Sequence, residues 1–377
     1  MDLYPYIVIA SICLILGLGA GFVMHRSNYC IAGAFRDMFM FKQTFMIKTF
    51  VLLVIATMVL FELARQAGML TLYPFPLLYS PTPANVIGGF LFGIGMVLAG
   101  GCVVGTLYKM GAGSILSAIS FLGLIAGSAL YAEIHPLWAS FIRQTTFFPG
   151  RITLPQILGI NPAIAVTLIS ALGIMTIAKW YRDGSLVRKA YAEGYMQPWK
   201  AAILLSLISL VSYVLIGMPL GITSSYSKIA GYLETIFAGE HLNNLAYFKT
   251  VPLKYTNPLT NVQLEGGGGP RFDVISAIQF PLVAGIILGS AISALLLKEF
   301  HLHFKAPHRQ YASAALGGVI MGLASRMAPT CNVWHLMGGL PILAASSILF
   351  LAGILPGAWT GGMILRKLLM TNGRGPS

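Results

Sequence analysis

Stretches of about twenty nearly uncharged residues recur along this chain between short polar connections, and each is long enough to cross a hydrocarbon core of about 30 Å as a helix. They predict nine helices, at about 3–24, 44–65, 84–101, 114–134, 155–178, 201–220, 274–297, 312–328 and 340–365. The third is the shortest. Its run 88–101 would span only about 21 Å at about 1.5 Å per residue, which predicts a half-helix followed by a loop that turns back into the protein.

That third run also comes back later. Residues 88–105, GGFLFGIGMVLAGGCVVG, return as 317–334, GGVIMGLASRMAPTCNVW. At a constant offset of 229 residues, Gly88, Gly89, Gly93, Ala99, Cys102, Val104 and Leu107 meet Gly317, Gly318, Gly322, Ala328, Cys331, Val333 and Leu336. The register continues through Phe121, Leu122, Ile125 and Ala129, which meet Phe350, Leu351, Ile354 and Ala358. The pattern is that of an internal duplication with a thiol at its centre.

Composition sharpens the class. Of 377 residues, 56% are hydrophobic and 9% charged, and the mean hydropathy of +0.79 is too high for a soluble domain of this size. We read the chain as one integral membrane domain, 1–377, in an all-α polytopic fold. The excess of 24 Lys and Arg over 11 Asp and Glu is spread between the apolar spans, so it marks topology and not a nucleic-acid surface. The first apolar segment lacks a basic leader and a small-residue cleavage site, and is read as a mature helix. Cys13, Cys30, Cys102 and Cys331 have no metal-site spacing, so no metal, cofactor or disulfide framework is expected.

Charge also orients the helices. The segment 179–200, with Lys179, Arg182, Arg188, Lys189 and Lys200, is the most basic short connection and is placed in the cytoplasm. Counting from it puts the N-terminus in the periplasm and the C-terminus in the cytoplasm. Arg26, Arg36 and Lys42, then Lys298, Lys305 and Arg309, and the tail residues Arg366, Lys367 and Arg374 all fall inside. The long connection 223–273 falls outside. In this topology the third helix runs inward and its duplicate outward, so the repeats are inverted: one at about 3–134, a connector at 155–178, and a second at 201–366. A weaker likeness of Ser27, Asn28, Tyr29 and Cys30 to Ser224, Ser225, Tyr226 and Ser227 points the same way.

Four stretches, 25–35, 100–113, 222–231 and 328–339, are expected to be non-helical and to occupy equivalent places. Irregular backbone at membrane depth must be buried in protein or line a polar cavity. Inverted repeats whose interrupted segments meet near the midplane make a transport site. Three of the stretches carry a cysteine, and the fourth carries Ser227. A thiol is a soft, weak donor suited to sulfur or selenium atoms. The bland alternative is that cysteine is simply a small buried hydrophobe and glycine a packing residue; for Cys13, among Ile and Leu, that is the reading adopted. His25, Arg26, Lys109, Lys228, Arg326 and His335 lie in or beside the same stretches and are candidates for holding an anion, with snorkelling to the headgroups as the alternative role. Asp37, Glu62 and Glu133 are the main acids near the spans, too few for a carboxylate proton relay.

The motifs HRSNYCIAGAFRD (25–37), GGFLFGIGMVLAGGCVVG (88–105) and MAPTCNVWHLMGG (327–339) resemble the YeeE/YedE family of bacterial inner-membrane proteins, and the resemblance spans nearly the whole chain. It implies uptake of thiosulfate or a related sulfur or selenium compound, passed by S–H···S contacts along Cys30, Cys102 and Cys331. The cargo would cross a narrow centre between two concave faces, an hourglass shape. It also implies a cytoplasmic sulfur carrier of the TusA type as partner. The alternatives are a selenium-compound permease of the same family, a membrane sulfurtransferase in which one cysteine carries a persulfide, and a non-catalytic scaffold. The permease reading makes the protein a transporter and not an enzyme.

Overall fold

The computed structural model describes residues 3–188 and 190–370. Lys189 and Arg374, used in the charge count, lie outside the described residues. The long helices are α1 (Tyr4–Ser27), α3 (Phe45–Gln66), α4 (Pro83–Leu98), α6 (Ile115–Thr145), α8 (Pro162–Arg182), α9 (Pro198–Ile216), α12 (Val274–Leu296), α13 (His308–Met327) and α14 (Ala345–Met370). They occupy the nine expected positions. Between them lie the shorter α2 (Ile31–Phe41), α5 (Val103–Gly111), α7 (Leu154–Leu158) and α11 (Ala246–Lys249), the 20-residue α10 (Thr223–Leu242), and one hairpin of β1 (Leu253–Thr256) and β2 (Gln263–Gly266).

Eight stretches among the described residues are long and apolar enough to cross a bilayer, two of them joining α1 to α2 and α4 to α5. The ninth helix, α13, is absent from that set. It carries Ser313, Ser325 and Arg326, which are buried because it packs between α4 and α6 and meets protein where other helices meet lipid. By contrast α8 buries only Val166 and Ser170, leaving an apolar surface suited to lipid.

The helices pack by a repeated scheme. α1 lies along α12 as α9 lies along α3; α4 lies along α14 as α13 lies along α6; α2 touches α14 as α10 touches α6; and α4 crosses α13 as α1 crosses α9. Glycine allows the closest of these approaches. A Cβ at Gly93 would stand 2.6 Å from the Ile354 carbonyl oxygen, and one at Gly322, its repeat partner, 2.3 Å from that of Leu124. The recurring glycines are therefore packing residues, and the thiols that follow them are carried to the centre by that packing.

One expectation changes. The stretches 25–35, 100–113, 222–231 and 328–339 are not irregular throughout: each is a brief break followed by a helix. The connection 223–273 is ordered, with Leu253, Tyr255 and Leu264 of the hairpin buried and an Asn257 turn whose Oδ1 accepts the N–H groups of Leu259 and Thr260 at 3.1 and 3.0 Å.

Candidate translocation site

Each cysteine of interest sits where a long helix has stopped and a short one starts. α1 stops because Asn28 adopts the left-handed conformation, φ 49°, which Asn tolerates well, and Tyr29 N–H closes back on the Met24 carbonyl at 3.0 Å. Cys30 is then extended and opens α2. α4 stops at Gly100, φ 71°, with Gly101 N–H on the Met96 carbonyl at 3.1 Å. Cys102 opens α5, its sulfur accepting Gly105 N–H at 3.4 Å. After α13, Cys331 opens a helical stretch that continues as a π-helix, Trp334–Gly339, and a 3-10 turn, Leu340–Ile342. First-turn N–H groups have no partner within their helix, so three thiols stand among donors that favour an anion.

The fourth break does not match the sequence likeness. α10 opens at Ile222, the position equivalent to Cys30, while Ser227 lies one turn further on and bonds the Ser224 carbonyl at 2.9 Å and the Tyr247 hydroxyl at 3.2 Å. α10 begins earlier relative to the SSYS motif than α2 does relative to SNYC.

The three thiols are 5, 0 and 1% exposed for Cys30, Cys102 and Cys331. Cys30 and Cys102 meet over Gly105, where a Cβ would lie 3.1 Å from one sulfur and 3.4 Å from the other. On its other side Cys102 neighbours the Asn332 carboxamide. Cys331 neighbours Thr223 and Arg326, and Tyr226 lies near both Cys102 and Cys331. The order through the protein is thus Cys30, Cys102, Cys331. Cys13, also buried, is remote in α1 near Tyr255.

Cys30 lines a cavity of about 410 Å³ with Arg36, Lys109, Arg188 and Tyr191. A second cavity of about 260 Å³ shares Lys109 and is lined by His25, Tyr195 and His303. Beside Cys102 lies a separate apolar void of about 20 Å³ bounded by Tyr29, Leu220 and Val333, room for about one water. At the opposite end stands Arg326, 9% exposed. Its Nη1 donates to Ser224 Oγ at 3.2 Å and to the Tyr247 hydroxyl at 3.3 Å, its Nη2 donates to Thr223 Oγ1, and its Nε is unpartnered. No carboxylate pairs with it among the described residues. A guanidinium so buried normally has an anionic partner; here only hydroxyls surround it.

The other basic candidates divide. Lys109 donates to the Gly100 carbonyl, holding the end of α4, while it lines both cavities. His25 Nδ1 is 2.9 Å from Ser293 Oγ, and Arg26 reaches Ser293 Oγ at 3.2 Å and the Gly194 carbonyl at 2.7 Å, so this pair ties α1 to α12 and to the loop over the cavities. Lys228 is wholly buried and satisfied by Asp273 Oδ2 at 2.8 Å and the carbonyls of Gly269 and Arg271. His335 is also spent on the fold: Nε2 donates to the Ala328 carbonyl and Nδ1 accepts from Ser347, both at 2.9 Å, and the ring stacks on Phe350 at 4.4 Å. Sequence reasoning missed Asn332, Tyr226, Thr223 and Tyr247. The first adjoins a cysteine in MAPTCNVW, which was the one signal available for it. The acids near the spans are taken: Asp37 by Arg36, Glu62 by Arg65 and Gln66, and Glu133 by His241.

A family model described as sulphur transport matches residues 26–360. The chain is 30% identical over 370 residues to a thiosulfate transporter, TsuA, of Spirochaeta thermophila, covering 93% of this chain and 98% of that protein. It is 28% identical over 372 residues to the TsuA of Escherichia coli, 93% of each. A probable transporter, YedE, of Escherichia coli is 30% identical over 172 residues, 45% of this chain and 41% of that one. With buried thiols at three helix openings and a match over nearly its full length, the chain belongs to the sulphur transport family, the group its motifs resemble.

Proposed function

We propose that this protein is a permease for thiosulfate, or a close sulfur or selenium analogue, in a bacterial inner membrane, and that the anion passes Cys331, Cys102 and Cys30 in that order without covalent chemistry. The observation that carries the reading is the buried series from Arg326, which has no carboxylate partner among the described residues, past Cys331 and, by way of Tyr226, Cys102 and Cys30 to a cavity with Arg36, Lys109 and Arg188. Its two full-length relatives are named thiosulfate transporters. Arg326 would gather the anion from the periplasm, the thiols would replace lost water by soft S–H contacts to its terminal sulfur, and the basic cavity would receive it. With Arg188 in the cytoplasm, the N-terminus is periplasmic and the C-terminus cytoplasmic. His25, Arg26 and His335 keep their place in the site as positioning residues, through Ser293, Gly194, Ala328 and Ser347.

The duplicated packing supports two inverted repeats, at about 3–134 and 201–366, joined by the connector at 155–178. A TusA-like carrier would meet the cavity side, where Arg36, Lys109 and Arg188 suit an acidic or thiol-bearing partner surface. The test is growth on thiosulfate of cells that lack other sulfur uptake. The parent protein supports growth, and Cys102→Ala and Cys331→Ala do not; growth of both variants at the parental rate overturns the relay.

A further inference from the structure

The buried stretch around Cys331 holds polar atoms that the fold leaves unpaired. Among the described residues, eleven buried side-chain nitrogen or oxygen atoms have no hydrogen-bond partner, and six of them belong to Tyr226 or to residues between Arg326 and Trp334, so they gather around Cys331. Two residues stand out. Asn332 is 0% exposed, and neither its Nδ2 nor its Oδ1 has a partner. Tyr226 is 0% exposed with its hydroxyl unpartnered and its ring held edge-on to Phe121 at 5.4 Å. Thr330 Oγ1 and Trp334 Nε1, on either side of Cys331, are unpartnered too. Leaving such groups dry is costly, and native proteins rarely do so without a use for them.

We propose that Asn332 and Tyr226 form a hydrogen-bonding site between Cys331 and Cys102 that grips the oxygen atoms of the passing anion, so that the buried stretch selects a sulfur oxyanion by its oxygens as well as by its soft terminal sulfur. The inference rests on the permease reading. Asn332 Nδ2 and the Tyr226 hydroxyl are donors, and a sulfonate group offers three acceptor oxygens and no proton of its own. Thiols alone would grip the terminal sulfur and leave the oxygens, stripped of water, with nothing to accept from. The carboxamide beside Cys102 and the phenol near both Cys102 and Cys331 supply that missing half in the buried stretch between the two thiols.

The test uses purified full-length protein in lipid vesicles, with initial entry of radiolabelled thiosulfate and thermal unfolding measured for the parent, Asn332→Leu and Tyr226→Phe. Both substitutions remove unpaired polar atoms; Asn332→Leu keeps the branched shape but adds bulk, whereas Tyr226→Phe only deletes an oxygen, so a residue that matters only to packing would leave transport and stability of Tyr226→Phe at or above the parental level. The expected result is a melting temperature no lower than the parent's with thiosulfate entry down about tenfold or more for Asn332→Leu, the loss of hydrogen bonds to a charged group. Tyr226→Phe, which deletes one oxygen, falls in the same direction and decides the matter if Asn332→Leu does not fold. Entry by the parent, with both folded variants within about twofold of it, overturns the inference and leaves the permease reading standing. A parent protein that moves no thiosulfate overturns that reading and the inference with it.

Discussion

The sulfurs of Cys30 and Cys102 meet across the Cα of Gly105, with only enough room between them for the hydrogen that glycine carries. A methyl group built there would stand 3.1 Å from one sulfur and 3.4 Å from the other. Gly105 lies inside α5 with ordinary helical backbone, so alanine would favour the helix by about 1 kcal/mol while it separates the thiols. Gly105→Ala is expected to fold as well as the parent and to lose most thiosulfate entry, measured together as thermal unfolding and vesicle uptake. Full uptake would show that the two thiols need not touch a common cargo atom.

The proposed relay works by contact and not by bond exchange. Intact-protein mass after exposure to thiosulfate should show no added sulfur at Cys30, Cys102 or Cys331. A stable persulfide on any of them would move the protein into the sulfurtransferase class. Cys13→Ala, far from the route, should leave uptake unchanged and cost about 1 kcal/mol or less of stability.

Arg326 has hydroxyl partners and no carboxylate among the described residues. Arg326→Gln removes the charge and keeps part of the donor set, and should raise the half-saturating thiosulfate concentration by about ten- to a hundredfold, the range for a charge-assisted hydrogen bond of about 1.5–3 kcal/mol. An unchanged value would assign the guanidinium to the fold alone.

His335 spends both ring nitrogens on the protein. His335→Leu orphans the buried Ala328 carbonyl and should cost about 1–3 kcal/mol of stability. The molecules that remain folded should bind thiosulfate with parental affinity, read by titration on the monodisperse fraction. A selective loss of affinity would return the histidine to the cargo.

Lys228 answers a different question, that of the loop. Lys228→Met leaves Asp273 facing carbonyl oxygens with its cation gone, and should destabilise the protein by about 3 kcal/mol, near the lower end for a broken buried pair because Asp273 keeps 18% of its side chain exposed. The check is chemical unfolding, with Lys228→Met and Asp273→Leu combined recovering much of the loss.

The nine helices could be read from the sequence because lipid demands long apolar windows, and that demand leaves its mark on every turn. α13 was read with the others and matched by its repeat with α4, although it falls short of the apolar length that the other spans have, since protein surrounds Arg326 and its serines. Cys102 and Cys331 were legible through the same repeat. The helices α2, α5 and α10 that follow the breaks were not, because a helix that starts at such a break opens with glycine, serine and cysteine, which in a linear pattern look like loop. Lys228 and His335 looked like ligands for the reason that any buried ionisable group does; only the positions of Asp273 and Ser347 show where their bonds go. Asn332 and Tyr226 show in the sequence only as a neighbour of Cys331 and as a member of the weaker repeat, since their importance lies in partners that are missing.

The packing of α1 on α12, α4 on α14 and α6 on α13 has a mechanical consequence. Every one of these pairs takes one helix from each half of the chain, and at Gly93 and Gly322 backbone touches backbone. The halves are laced through one another like the fingers of two clasped hands, so neither can tilt as a unit without tearing contacts that run the thickness of the bilayer. Rocking of one half of the chain against the other is thereby opposed; the bodies that the packing leaves free to move are a bundle of α1, α3, α9 and α12 and a bundle of α4, α6, α13 and α14, joined chiefly through α2, α5 and α10. A covalent tie between α4 and α14, within one bundle, should slow thiosulfate entry little.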